Sequence, residues 1–293
     1  MTTTSPTPRV SIGMPLYNAE RYLEHTLQTV LAQTYEDFIL YISDNASTDR
    51  TQAICKDYAA RDSRIKYIKN EVNVGAPGNY ERCFTPASSE YFRWQNGDDP
   101  IEPTLIERCI EVLDAQPDVV LAYCKTNIID ENGVFLEHYD DNLHLMQEEP
   151  VARLQALLDN IRYQNVMYGL IRREPLSHTA LMGAYTSSDL NLVGELCLYG
   201  KFFEVQEYLF NRRMHPEAST ATRHDKEKQV VFWDPTKKRI ILPLWRSYYE
   251  YFKAGWRAPI SLQQKRQVFY YLLRRMNWYR AQLGQEFMAF IKQ

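Results

Sequence analysis

The stretch from Val10 to Thr51, VSIGMPLYNAERYLEHTLQTVLAQTYEDFILYISDNASTDRT, decides the fold. It holds two apolar runs of strand character with one helical stripe between them. Val10 to Met14 is short and apolar and ends at Pro15. Between Ala19 and Gln33, Leu23, Leu27, Val30 and Leu31 recur at helical spacing. Phe38 to Ser43 then turns to β-forming residues and stops at Asp44-Asn45-Ala46-Ser47. Ser47, Thr48 and Asp49 are good caps for a helix reaching Ala60, with Ile54 and Tyr58 facing inward.

Outward from this block the alternation continues. Ile65 to Lys69 reads as a strand, Asn73 to Gly78 as a loop, Asn79 to Phe84 as a helix and Tyr91 to Gln95 as a strand that runs into Trp94-Gln95-Asn96-Gly97-Asp98-Asp99-Pro100. Strands separated by helices of this size predict right-handed β-α-β crossovers, hence an α/β fold with a mostly parallel sheet flanked by helices. In such sheets the ligand crevice lies outside the carboxyl ends of the strands. Tyr17 and Asn18 follow the first strand, Asp44 the second, and Asp98 and Asp99 the fourth, so three strands aim polar groups at one edge.

Beyond this edge a helix is expected near Thr104 to Ala115, a strand over Val119 to Tyr123, a hairpin turn at Asp130-Glu131-Asn132-Gly133 and an acidic loop from Asp140 to Glu149. Residues 151–229 mix helix and loop, and the chain from Phe232 is helical. The reading divides the chain into an N-terminal arm over 1–8, a catalytic domain over 9–229 with halves at 9–130 and 131–229, and a C-terminal helical region over 230–293.

Composition narrows the class. The 293 residues are 45% apolar, enough for a substantial core, and the net charge is only -3. That charge is unevenly spread: residues 230–293 carry twelve Lys or Arg against three Asp or Glu, a balance of +9, which leaves -12 for the rest. Four of the five tryptophans sit in the same tail. One reading is a helical cap on the catalytic domain; another is a surface resting on anionic lipid. Nucleic-acid binding is disfavoured because no recognised motif accompanies the charge. Five widely spaced cysteines with no C-x-x-C pair argue against a disulfide framework or a structural zinc site, and point to a reducing cytosol. No signal peptide or membrane span is apparent.

The Asp98-Asp99 pair has two readings. Adjacent carboxylates repel, and a hard divalent cation between them and a phosphate-bearing ligand relieves this. Gly97 and Pro100 equally favour a solvated turn.

The block over Val10 to Thr51 resembles the opening of the family 2 glycosyltransferases, with a strand ending in P-x-Y-N, a helix closing in L-x-Q-T-Y and a second strand running into D-N-x-S-x-D. The likeness continues through Asn73, Gly75 and Asn79 to Asn96-Gly97-Asp98-Asp99, where the family has its D-x-D variant. It implies a GT-A (Rossmann-like) fold and transfer of a sugar from a nucleotide donor, UDP- or dTDP-linked by preference, with inversion. Pro15, Tyr17 and Asn18 then match the nucleoside pocket, and Asp44 the acid that accepts from the base. Asn79 and Asn96 belong to the donor site, while Asp98 and Asp99 contact ribose, diphosphate and Mg²⁺ or Mn²⁺.

Downstream, Ser188-Asp189-Leu190 followed by Glu195 and Gly200-Lys201-Phe202 resembles the block that supplies a general base, for which Asp189 is the first candidate and Glu195 the second. Asp189 is equally placed to cap a helix. Arg212-Arg213-Met214-His215 resembles a loop closing over the diphosphate, with Arg213 and His215 as donor-binding residues. Two departures stand out: Asn96 replaces an Asp, and Gly78 replaces an Arg, a role open to Arg82 or the later Arg-His cluster.

The expectation is a cytoplasmic inverting glycosyltransferase of bacterial surface polysaccharide assembly, peripheral on the inner face of the membrane in one version, acting on a glycan or lipid-linked saccharide. A nucleotide-sugar-binding scaffold is the first rival. A sugar nucleotidyltransferase is the second, though the basic Gly-rich loop it requires is absent from MPLYNAERY. The oligomeric state stays open.

Overall fold

A computed structural model describes residues 7–218, 221, 225–239 and 241–291; most of the predicted N-terminal arm lies outside the described residues. The sheet begins with β1 (Val10–Leu16), β2 (Phe38–Asp44), β3 (Ile65–Lys69) and β4 (Tyr91–Trp94), in the parallel order β3-β2-β1-β4. Helices α1 (Glu20–Leu31), α2 (Thr51–Arg61) and α3 (Gly75–Phe84) make the crossovers. β1 is buried along both faces, Ser11 and Gly13 included, as in a central parallel strand. It continues past Met14, where the sequence suggested a stop at Pro15. Pairing with β4 ends at Gly13, so the missing N–H of Pro15 costs no ladder bond there. α1 turns Leu23, Thr26, Leu27 and Val30 onto the sheet.

α3 starts four residues before the sequence suggested. The expected loop over Asn73 to Gly78 is helical from Gly75, because Pro77 falls in the first turn, where a proline is tolerated, and Asn73 Oδ1 accepts from the Gly75 N–H at 2.8 Å.

The second part of the sheet mixes directions. After α4 (Leu105–Ala115) comes β5 (Val119–Ile129), then β6 (Phe135–Tyr139), α5 (Pro150–Asn160), β7 (Leu170–Arg172), α6 (Arg173–Ser177), α7 (Ser188–Tyr199) and β8 (Lys201–Arg213). Short β7 runs antiparallel between β4 and β5, whereas β8 runs parallel along β5. β8 thereby carries Arg212 and Arg213 to the carboxyl end of β5. Its 13 residues lie in a stretch whose sequence reads as mixed helix and loop.

The tail consists of α8 (Lys226–Trp233), α9 (Pro243–Arg257), α10 (Leu262–Trp278) and α11 (Arg280–Ile291). Ser261 and Gln264 form a reciprocal capping box at the start of α10. Tyr248, Tyr251, Val268 and Leu272 join one apolar core with Leu192, Val193 and Leu196 of α7. No helix among the described residues is long and apolar enough to cross a membrane.

Candidate active site

The loops after β1 and β2 are tied to each other. The Asn18 N–H donates to Ser47 Oγ (2.9 Å) and Asn18 Oδ1 accepts from the Thr48 N–H (2.9 Å). Asn18 sits at φ 48°, a left-handed conformation that asparagine tolerates better than most residues. Pro15 pairs with Ser43 in the ladder, and Tyr17 stands half exposed beside it. Asp44 is fully buried: Oδ1 accepts from the Ser47 N–H (2.9 Å) and Oδ2 from the Tyr67 hydroxyl (2.8 Å). Burial, and then this carboxylate, push the Tyr67 phenol up.

Asn79 is equally committed. Its Oδ1 accepts from Ser43 Oγ (2.7 Å) and Asn70 Nδ2 (3.0 Å), and its Nδ2 donates to the Leu16 carbonyl (3.2 Å). It therefore locks β1, β2 and α3 at the crevice edge. At Gly78, where an Arg was expected, an added Cβ would lie 3.0 Å from Cγ2 of Val74, the residue before α3, so that side chain would have to give slightly.

The Asn96 to Asp99 segment is a tight turn seated on α1. A Cβ at Gly97 would come within 2.5 Å of Leu16 Cδ2, so any larger residue there would push that side chain aside. The two carboxylates diverge from there. Asp99 turns inward: Oδ1 accepts from the Arg213 N–H (2.8 Å) and Oδ2 from Asn96 Nδ2 (3.1 Å). Burial, and then the adjacent Asp98 charge, raise its pKa. An aspartate at 96 would have faced Asp99 as a third anion; the amide donates instead, and its Oδ1 accepts from the Tyr80 hydroxyl (3.0 Å).

Asp98 turns outward, with Oδ2 2.9 Å from His215 Nε2. The imidazole packs on Tyr22, ring centroids 4.9 Å apart. Arg213 is buried, not presented to the crevice. Its Nε donates to the Asp98 carbonyl (3.0 Å), one terminal nitrogen reaches the carbonyls of Asp130 and Glu131, and its guanidinium covers the Tyr22 ring at 4.6 Å. It joins β8 to the turn that presents Asp98.

Asp189 lies in the first turn of α7, partly buried, with Oδ1 accepting from the Leu190 N–H (2.9 Å). Burial pushes its carboxyl up to about 6, with its own and the Leu190 N–H and the Gln164 amide pulling the other way. The N-cap is Ser187, whose side chain makes no capping bond, so Asp189 is not the cap. Glu195 is deep, 2% exposed. Arg257 holds it bidentately (2.6 and 2.9 Å) and the Ala180 N–H donates to Oε2 (3.1 Å), so both oxygens are occupied. This pair fastens α9 to α7.

Tyr80 links the halves. Its buried hydroxyl is pushed well up, chiefly by burial, with Tyr168, Asp189 and Asp98 all adding to the rise. The charges of the base candidate and of the outward carboxylate are therefore both felt at one hydroxyl. Tyr80, Tyr22 and Gln164 escaped the sequence reading; only Tyr22 had a signal there, its place four residues after Asn18. Nor did that reading find Asp141, pushed up to about 7 first by burial, which accepts from Asn165 Nδ2 (3.2 Å) beside Arg212.

The residues present fit a divalent ion. Among the described residues no group of three or more His, Cys, Asp or Glu forms a metal cage. Asp98 and His215 nevertheless offer an oxygen and a nitrogen 2.9 Å apart, close to the spacing of neighbouring donors around an octahedral ion with bonds of about 2.1 Å. Mg²⁺ is commonly held by one or two protein side chains with substrate phosphates completing its shell. Asp99, expected as the second ligand, turns its oxygens to the Arg213 N–H of β8 and the Asn96 amide.

The Glycosyl transferase family 2 model matches residues 11–179, which include the turn and every strand up to β7. Putative glycosyltransferase EpsE of Bacillus subtilis is 35% identical over 128 residues, 43% of this chain and 46% of that protein, so the chain spans about half of that relative. An uncharacterized glycosyltransferase of Rickettsia typhi is 26% identical over 80% of this chain and 73% of its own. Staphylococcus aureus TarS in complex with UDP superposes with TM-score 0.64 at 16% identity, covering 92% of this chain and 71% of that one. A mannosyltransferase from Pyrobaculum calidifontis, solved with GDP-Man and Mn²⁺, does so at 0.55 and 14% identity over 89% and 74%. These likenesses bear out the GT-A arrangement, and by its sequence match over more than half its length the chain belongs to glycosyl transferase family 2.

Proposed function

We propose that the chain is an inverting glycosyltransferase that moves a sugar from a nucleoside diphosphate, UDP- or dTDP-linked, to a hydroxyl of a glycan or lipid-linked acceptor in bacterial surface polysaccharide assembly, on the cytoplasmic side. The observation that carries it is the Asp98–His215 contact of 2.9 Å at the carboxyl edge of the sheet, with the Asp189 charge felt at the same Tyr80 hydroxyl as that of Asp98. Asp189 takes the proton of the acceptor hydroxyl as its oxygen bonds to the anomeric carbon and the bond to the diphosphate breaks. A carboxyl titrating near 6 is a stronger base than an ordinary aspartate yet largely ionised at neutral pH.

Asp98 and His215 would hold Mg²⁺ or Mn²⁺, which supplies positive charge to the departing diphosphate. Asp99, Arg213 and Asn96 hold Asp98 in place, and Tyr17 offers an exposed ring to the nucleoside. TarS crystallised with UDP and with UDP-GlcNAc, and the mannosyltransferase with Mn²⁺, which supports this donor class and ion.

Calorimetry with UDP and dTDP, with and without Mn²⁺, followed by UDP-sugar hydrolysis, starting with UDP-GlcNAc, is the test. Mn²⁺-dependent binding with turnover supports the reading. Binding without hydrolysis or transfer of any donor favours a scaffold, and no binding overturns both.

A further inference from the structure

The C-terminal helices present an outer surface that the catalytic reading leaves unused. On α9, Trp245, Tyr249 and Trp256 fall at i, i+4 and i+11, one exposed stripe opposite the buried Tyr251 and Ala254. On α10, Leu262, Tyr270 and Leu273 share the exposed face, opposite buried Val268 and Leu272. Trp256 is 66% and Tyr270 64% exposed, far more than isolated packing residues need.

The charges around these stripes are mostly basic, with Glu149 beside Gln264 and Asp159 on Arg275 as the acids that reach α10. Lys253 and Arg246 flank the α9 stripe, and Lys265 lies over the Trp256 ring at 5.3 Å. Arg274 lies over Trp278 at 5.2 Å, and Arg266 is exposed on the apolar face of α10. The three acids of residues 230–293 are all engaged internally. Asp234 pairs with Lys237, and Glu250 is buried between Arg246 and Lys253. Glu286 accepts from the Leu244 and Trp245 N–H groups at the start of α9. What faces solvent is aromatic and cationic together.

We propose that the outer faces of α9 and α10 dock this chain on an anionic lipid bilayer. Tryptophan and tyrosine rings settle at the headgroup level, and lysine and arginine stems carry their charge to lipid phosphates. Each basic residue near an anionic surface strengthens binding about fivefold. Docking also orients the site. α9 packs on α7 through Tyr251, whose hydroxyl donates to the Leu190 carbonyl (3.3 Å), and through the Glu195–Arg257 pair, so the helix bearing Asp189 is fixed relative to the lipid.

The test is flotation of the full chain with vesicles of phosphatidylcholine alone or with about 30% phosphatidylglycerol. It uses no donor, so its outcome is independent of the transfer reading. Flotation is expected only with the anionic vesicles, weakening as salt rises. Arg266→Gln with Arg274→Gln should weaken it about fivefold for each charge, and Trp256→Ser with Tyr270→Ser at least tenfold, both with unchanged melting temperature. Equal flotation on neutral vesicles, or none on either, overturns the proposal. So does a dimer in sedimentation that the Trp256→Ser change dissolves, since the face would then belong to a second copy.

Discussion

At the ends of β1 and β2, Asn18, Asp44 and Asn79 commit their polar atoms to the protein itself, whereas around Asp189 the buried Gln164 Oε1, Thr186 Oγ1 and Ser188 Oγ have no hydrogen-bond partner. A fully satisfied buried network rigidifies, and an unpaired buried oxygen costs about 1–3 kcal/mol. The strand-edge half is the more tightly tied, with Asn70 Oδ1 and Gln95 Oε1 as its own unpaired atoms, and the α7 half gathers its unpaired oxygens around the base candidate. Asp98 and Asp99 repeat the contrast at adjacent positions, one outward on His215 and the other bound into the turn.

The comparison breaks first at Asp189. Asp189→Asn should lower transfer about 10²- to 10⁴-fold, the usual contribution of a general base, while donor affinity measured by calorimetry stays within about twofold. Equal loss of donor binding would place Asp189 on the donor instead. Next come Asp98→Asn and His215→Ala. Each should weaken Mn²⁺-dependent UDP binding about 10- to 100-fold and leave metal-free binding nearly unchanged, because a charged contact is worth about 1.5–3 kcal/mol. Unchanged Mn²⁺ dependence in both would remove the pair from the ion.

Glu195→Gln sharpens the comparison from the structural side. It leaves Arg257 without its carboxylate and should cost about 3 kcal/mol, at the low end for a buried pair because Arg257 is a third exposed. Chemical denaturation would show the loss, with turnover per folded molecule retained. A fall in turnover matching that of Asp189→Asn would make Glu195 the base.

The smallest effect is on stability against pH. The folded Asp189 carboxyl is raised to about 6, so its favourable contribution is complete below the unfolded value near 4 and fades as pH rises through about 6. Asp189→Asn should therefore stabilise the protein at pH 8 by about 2 kcal/mol, reduced here for partial exposure, and by almost nothing at pH 4. Denaturation midpoints at the two pH values decide it.

The first four strands were legible because each is a local run with its own punctuation, and Gly97 announced the turn, where it packs close to Leu16. Asp98 and His215 were both visible as motif residues, but their meeting depends on β8 running parallel to β5, which no local pattern encodes. The partners of the other candidates were hidden for the same reason. Glu195 finds Arg257 in α9, and Arg213 reaches back to the Asp98 and Asp130 carbonyls. Motif matching located these residues without showing which way their side chains turn. The Gly78 and Asn96 departures read as losses in sequence; in the structure Gly78 packs close to Val74, and Asn96 relieves a third anion beside Asp99.

The most direct measurement is the pH profile of transfer under saturating donor and acceptor. With Asp189 as base, log kcat rises with slope one and levels off above an apparent pKa near 6, and this limb disappears from the residual activity of Asp189→Asn. A profile flat between pH 5 and 8, or an unchanged limb in Asp189→Asn, would contradict the account.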